Sequence, residues 1–337
     1  MSRVYIAYTG GTIGMKKRGG SYAPAEGYLS ERLAAMPEFA GDATPSYTLH
    51  EYSPLLDSSN MRPQNWQAIA EDIAANYDDY DGFVVIHGTD TMAYTASALS
   101  FMLENLSKPV LLTGSQIPLA EVRSDARENL ITSLLIAANY PIPEVCLYLN
   151  GSLLRGNRST KVSSSGFEAF ASPNFPPLAE VGVDIDVKER LLLAKPGGGL
   201  EVCKLKEVQV AALRLFPGIT APSLENFLLE PIQGLILETY GAGNAPSNDA
   251  ALLSVLARAV ERGVVIVNCT QCLQGSVDMG DYATGNALRD VGVVSGYDIT
   301  PEAALTKLIY LFSLNLEPNV IRQKMRENLR GELTPTV

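Results

Sequence analysis

Short apolar runs rich in β-branched residues alternate with longer stretches of helical periodicity, and this alternation constrains the fold more than any other feature of the chain. Runs of strand length occur at 4–8, 47–52, 82–87, 109–113 and 144–150. Helix-period segments lie between several of them, at 63–77 with Pro63 in the first turn, at 91–105 and at 124–139. Strands joined by crossover helices lie parallel, so the expected architecture is a doubly wound, mostly parallel α/β sheet. After residue 188 the pattern degrades into LLLAKPGGGL, a Pro/Gly cluster that marks a linker over 191–207. A second series follows, with strand-length runs at 208–216, 234–237 and 264–268 and helical segments at 248–262, 301–315 and 317–328. The expectation is a larger N-terminal α/β domain over 1–190 and a smaller C-terminal α/β domain over 208–337, and 337 residues suit two domains.

A formal net charge of −11 argues against nucleic acid or an anionic membrane as the main partner, because both are met by Lys/Arg patches. The basic cluster Met15–Arg18 is short and reads as a solvated loop. No apolar run is long enough to span a bilayer, and the chain enters its first strand without the pattern of an export signal. A cytoplasmic location is expected. The four cysteines, Cys146, Cys203, Cys269 and Cys272, are then expected as free thiols, with the C-x-x-C match a buried pair of small residues. Only two histidines exist, His50 and His87, so a histidine-rich metal site is not available. His87, at the end of an apolar run, reads as a packed, hydrogen-bonded residue.

Three polar clusters follow expected strands of the first domain: Thr9-Gly-Gly-Thr12, His87-Gly-Thr-Asp-Thr91 and Thr113-Gly-Ser-Gln116. In a parallel sheet all three face one crevice beyond the carboxyl ends of the strands. The first is not a phosphate grip, since Gly10, Gly11 and Gly14 fit neither the dinucleotide fingerprint nor the P-loop spacing. It remains either a plain turn that uses glycine for positive φ or a mount for Thr12 as a nucleophile, which needs a partner to activate it. Tyr22, across the Gly19-Gly20 loop, offers a phenol. In the second cluster Asp90 or Thr91 reads as a helix N-cap; the alternative is that Asp90 holds an ammonium group and Thr89 reacts. Lys161, in RGNRSTK, is a surface lysine on base rates or, if desolvated beside Thr89, a base.

YTGGTIGM together with HGTDTMAYTASALSFML resembles the signature segments of the bacterial-type L-asparaginase family. LLDSSNM, TGSQIP, RGNRSTK and YGAGNAP fall in the expected order, so the likeness covers essentially the whole chain. The long second segment and the closing NLRGELTP look most like the cytoplasmic type I enzymes. The resemblance implies hydrolysis of L-asparagine to L-aspartate and ammonia, with no metal or organic cofactor and with the catalytic residues in the N-terminal domain. Thr12 stands where the family has its acyl-forming nucleophile, and Tyr22 matches a tyrosine on a flexible lid. Asp57, Ser58 and Ser59 match the segment that grips the α-amino and α-carboxylate groups. Thr89, Asp90 and Lys161 match a second constellation, in which Lys161 pairs with Thr89 and Asp90 binds the α-amino group.

The resemblance further implies a homotetramer built as a dimer of dimers, with a neighbour's C-terminal domain completing each site. Tyr240–Asn244 matches that segment, and Asn244 is the contributor the resemblance implies. Glu238, Thr270, Gln271 and Cys272 fall near a regulatory asparagine site of some type I relatives. Glu238 stands where an arginine is expected to meet the effector's carboxylate, which argues against activation in the same form. The rival readings are a glutamine-preferring or mixed amidohydrolase and a non-catalytic amino-acid-binding protein.

Overall fold

The runs expected as strands assemble into two sheets in the computed structural model, which describes residues 2–41, 44–280 and 283–334, with backbone alone for 18, 40 and 283–285. The last residue of the closing NLRGELTP, Pro335, lies outside the described residues. The chain divides into two units, Met1–Cys203 and Lys204–Val337.

In the first unit the strands are β1 (Arg3–Gly10), β2 (Ser46–Leu56), β3 (Gly82–Ile86), β4 (Val110–Thr113), β5 (Val145–Leu149), β6 (Ser152–Arg155), β7 (Ala179–Val181) and β8 (Ile185–Val187). They form one eight-stranded sheet in the order β8-β7-β6-β5-β4-β3-β1-β2. The five strands β1 to β5 are parallel neighbours, while β6, β7 and β8 add on antiparallel. Because strand order reverses between β1 and β3, the crevice for a ligand opens at the carboxyl ends of those two strands. Central strands covered on both faces must be apolar throughout, and β3, β4 and β5 are buried at every residue. β2, at the sheet edge, alternates over most of its length between exposed and half-buried residues.

Helix α1 (Pro63–Ala75) turns Trp66, Ile69, Ala70 and Ile73 to the interior, a one-sided stripe at helical spacing. Helix α2 (Met92–Met102) is buried at nearly every position, its apolar residues interleaved with small hydroxyl residues such as Thr95 and Ser100 whose hydroxyls are hydrogen-bonded. Helix α3 (Ala126–Asn139) packs under the parallel strands. Two features depart from the sequence reading. The helix expected to reach residue 105 ends at Met102, because Leu103–Glu104 pairs antiparallel with Glu201–Val202 and the Cys203 N–H donates to the Met102 carbonyl at 2.9 Å. Strands β6 to β8 were not expected, being short and broken by polar residues.

The second unit holds a four-stranded parallel sheet in chain order, β9 (Val210–Arg214), β10 (Gly234–Thr239), β11 (Val265–Thr270) and β12 (Val294–Ser295). Its helices include α4 (Ala250–Glu261), α5 (Pro301–Ser313) and α6 (Pro318–Met325), with shorter ones at Ala221–Phe227 and Ala283–Asp290. Side chains set two of the starts: Asp249 accepts from the Leu252 N–H and Thr300 from the Ala303 N–H. The C-x-x-C expectation is half wrong. Cys269 is fully buried in β11, and burial pushes its thiol up, but Cys272 lies exposed in the turn beyond the strand. All four cysteines are free thiols, and among the described residues no helix is long and apolar enough to cross a membrane.

Candidate active site

The glycine pair after β1 answers a steric need. Gly10 and Gly11 have φ of +132° and +95°, and a Cβ on Gly10 would lie 2.1 Å from the Leu56 carbonyl oxygen at the end of β2. A Cβ on Gly11 would lie 2.5 Å from the Gly88 nitrogen beyond β3. The loop is thus wedged between the ends of its two neighbours in the sheet, closer than any side chain permits. Thr9 fastens it by donating to the Ile86 carbonyl at 3.0 Å. Thr12 then opens a 3-10 turn, Thr12–Gly14, whose Ile13 is buried and whose Ile13 carbonyl accepts from the Leu119 N–H at 3.1 Å. Thr12 itself is half-buried, and among the described residues no hydrogen bond engages its hydroxyl.

Beyond β2, Asp57 caps the turn Ser58–Asn60 by accepting from the Ser59 N–H at 3.0 Å and the Ser59 hydroxyl at 2.9 Å. The buried Ser58 lies against the β3 loop, where a Cβ on Gly88 would come 2.5 Å from its Oγ. Thr91 ties the same two loops by donating its hydroxyl to the Ser58 carbonyl at 2.7 Å. That bond overturns the N-cap reading: Thr91 occupies the cap position of α2 but makes no side-chain cap bond. The amino end of α2, with its partial positive charge, carries no side-chain cap.

Thr89, Asp90 and Lys161 come together through direct bonds. The Lys161 ammonium donates to Thr89 Oγ1 at 2.9 Å and pairs with Asp90 Oδ1 at 2.7 Å. Lys161 is no surface lysine, since only 20% of its side chain is exposed, whereas Asp90 keeps 65% open to an incoming cation. Its place follows from the fold of RGNRSTK: Arg155 is buried in an ion pair with Glu144, Asn157 and Arg158 are buried in a 3-10 turn, and Thr160–Lys161 pairs with Phe170–Ala171. The Thr89 hydroxyl donates to Gln116 Oε1 at 3.2 Å. Gln116 was not among the residues singled out, although the TGSQ cluster that contains it was.

His87 is the packed residue expected. Its Nδ1 meets the Gly88 carbonyl at 2.6 Å and therefore carries the proton, so Nε2 accepts from the Thr95 hydroxyl at 2.9 Å. Trp66 Nε1 donates to that hydroxyl at 3.1 Å and completes the chain. Complete burial lowers the imidazole to about 4, against a smaller opposing effect of the Gly88 carbonyl. The unfolded chain therefore binds a proton more readily than the folded one, and stability falls as pH drops. Between about pH 6.5 and 4 this residue should remove roughly 3 kcal/mol. Ring NMR signals that titrate with a midpoint near 6.5 would refute the assignment.

Tyr22 sits on an antiparallel hairpin, Met15–Arg18 with Ser21–Pro24, directly across from Lys17. Its hydroxyl donates to Glu121 Oε1 at 2.8 Å rather than to Thr12, and that bond raises the phenol above its ordinary range.

In the second unit, Tyr240 and Asn244 exchange backbone bonds of 2.9 and 2.7 Å and close the turn between them. Asn268 braces it by donating to the Gly243 carbonyl at 3.0 Å. Glu238 faces Arg214 across β9 and β10 with 4.0 Å between the charged groups. Gln271 donates to the Leu215 and Glu238 carbonyls at 2.7 and 2.9 Å, and the Thr270 hydroxyl accepts from the Cys272 N–H at 3.0 Å.

Family comparison agrees over both units. The family described as Asparaginase, N-terminal matches residues 3–193, and the Glutaminase/Asparaginase C-terminal domain matches 209–325. The chain belongs to the asparaginase family. It is 56% identical over 336 residues to L-asparaginase 1 of Escherichia coli strain K12, covering 98% of each chain. The crystal structure of L-asparaginase I from Vibrio cholerae O1 biovar eltor str. N16961 is 54% identical and superposes with a TM-score of 0.92 over 99% of each chain. The thermostable L-asparaginase from Thermococcus kodakarensis gives 34% identity and a TM-score of 0.90, over 99% of this chain and 100% of that one. Among these asparaginases this chain shares the larger parallel-dominated sheet and the smaller parallel sheet described above.

Proposed function

We propose that this protein hydrolyses the side-chain amide of L-asparagine to L-aspartate and ammonia through an ester on Thr12. The observation that carries the reading is the meeting of Thr89, Asp90 and Lys161 beside the loop that mounts Thr12, at the point where strand order reverses. Free asparagine is a zwitterion only about 5 Å long, so its site needs an anion, carboxylate donors and a nucleophile within one small crevice. The open carboxylate of Asp90 suits the α-ammonium group, with Asp57 beside the Ser58–Ser59 turn that receives the α-carboxylate. The Thr12 oxygen attacks the amide carbon, and its proton leaves with the nitrogen as ammonia. Water then cleaves the aspartyl ester and restores the hydroxyl. As the substrate's ammonium group takes Asp90, it competes with Lys161 for that carboxylate, leaving Lys161 with Thr89 for proton transfer. Tyr22 joins Thr12 only after exchanging its bond to Glu121.

The same reading includes cytoplasmic residence and a homotetramer arranged as a dimer of dimers. In it the smaller C-terminal domain, beginning after the linker, lends Asn244 to a neighbouring copy's site. The resemblance of YGAGNAP to the family's intersubunit segment supports that arrangement. Ammonia release from asparagine and glutamine, measured side by side, tests the substrate. One methylene is worth only about 1 to 3 kcal/mol of discrimination, so some glutamine turnover is compatible with the reading, but a preference for glutamine is not.

Glu238 carries a further expectation. A carboxylate there repels the carboxylate of an amino-acid effector, and the nearby Arg214 already faces it. The rate should therefore rise hyperbolically with asparagine concentration. Sigmoidal curves reproduced at several enzyme concentrations would contradict this.

A further inference from the structure

Gln116 touches two groups, and their chemistry fixes which end of its amide faces which. Nε2 donates to the Gly166 carbonyl at 2.9 Å, while Oε1 receives the Thr89 hydroxyl at 3.2 Å. An amide nitrogen only donates and an amide oxygen only accepts. The Gly166 carbonyl can only accept, so the nitrogen must face it and the oxygen is left for Thr89. The Thr89 hydrogen must then lie on the line to Gln116, which leaves the Thr89 lone pairs to receive the Lys161 ammonium at 2.9 Å.

Both sides of this arrangement are braced. The backbone N–H groups of Gln116 and Ile117 donate to the Asp125 carboxylate at 3.0 to 3.1 Å, and Asn129 Nδ2 donates to Asp125 Oδ2 at 3.1 Å. Gly166 is held by its own N–H, which donates to Ser163 Oγ at 2.9 Å.

We infer that Gln116 is a positioning residue that sets the direction of the hydrogen-bond chain from Lys161 through Thr89 to Gln116. In that direction Thr89 offers a lone pair to Lys161, the reverse of what transfer of the Thr89 proton to Lys161 requires. The resting site thus holds the pair aligned but with its hydrogen turned away, and working order takes two changes: the Lys161 ammonium gives a proton to water, and the Thr89 hydroxyl rotates about its Cβ–Oγ1 bond to face the freed lone pair. Gln116 makes and breaks no covalent bond and acts only through Thr89.

The inference rests on the reading of Thr89 and Lys161 as the working pair, but its first test does not depend on activity. Neutron diffraction from deuterium-exchanged crystals of the unmutated protein should find the Thr89 deuteron between Oγ1 and Gln116 Oε1. A Thr89 deuteron bonded to Oγ1 and directed at Lys161 Nζ, in place of the deuteron that Lys161 itself donates along that line, would overturn the inference. Kinetics supply the second test: Gln116→Met keeps length and bulk while removing both polar contacts. It should lower kcat for ammonia release by about tenfold or more, with KM changed by less than about threefold. An unchanged kcat, or a loss confined to KM, would overturn the positioning role. Absence of ammonia release by the unmutated protein would instead sink the proposed function, with the neutron result still standing.

Discussion

Thr12→Ala is expected to abolish nearly all ammonia release, a fall of roughly several hundredfold or more, while leaving the fold intact. Loss of activity and retention of stability both follow from the same geometry. The Thr12 hydroxyl is half-buried and unengaged by the described residues, so its removal leaves no buried group unsatisfied, and stability should change by no more than about 0.5 kcal/mol. A melting temperature lowered by many degrees would mean that Thr12 is structural. Full activity in the variant would mean that another group attacks. Thr89→Val provides the counterpart. It retains the shape of the residue but removes the hydroxyl that joins Lys161 to Gln116, and a fall of similar size is expected.

Gly11→Ala should damage both stability and activity. The added methyl would meet Gly88 nitrogen at 2.5 Å and Gly88 Cα at 2.6 Å, on backbone with φ of +95°. Backbone atoms cannot step aside as a flexible side chain can, so the two loops must part. Strain and overpacking together predict a loss of about 2 to 5 kcal/mol in denaturant unfolding. Parting the loops also moves Thr12 relative to Thr89, and a displacement near 1 Å predicts a loss of about a hundredfold in rate. Gly19→Ala is the control: it too has positive φ, at +57°, but nothing lies within 4 Å of its added methyl. It should cost about 1 kcal/mol and little rate. Equal effects of the two substitutions would show that close approach is not the reason for Gly11.

The difference between these glycines also marks what the sequence reveals and what it conceals. The parallel core was legible because strands covered on both faces must be continuously apolar, as 82–86 and 145–149 are. The crevice was legible because the Thr12, Thr89 and Gln116 clusters each follow such a strand. What escaped was set by partners distant in the chain. Helix α2 ends at Met102 because a ribbon arrives from residues 201–202, and Tyr22 meets Glu121 although 99 positions separate them. Gln116 was placed at the crevice by its cluster but given no role of its own, because the contact that fixes its amide comes from Gly166, 50 positions on. Thr91 looked like an N-cap because local rules see only its own helix, whereas its hydroxyl reaches 33 positions back to Ser58. His87 was legible as a packed group from its place at the end of an apolar strand.

The most direct test of the central claim is acid quenching of the Thr89→Val protein after mixing with L-asparagine, followed by peptide mass spectrometry. With the second threonine unable to assist hydrolysis of the ester, the account predicts an aspartyl ester on the peptide that contains Thr12, formed as ammonia is released. An ester on any other residue, or steady ammonia release from the Thr12→Ala protein, would contradict it.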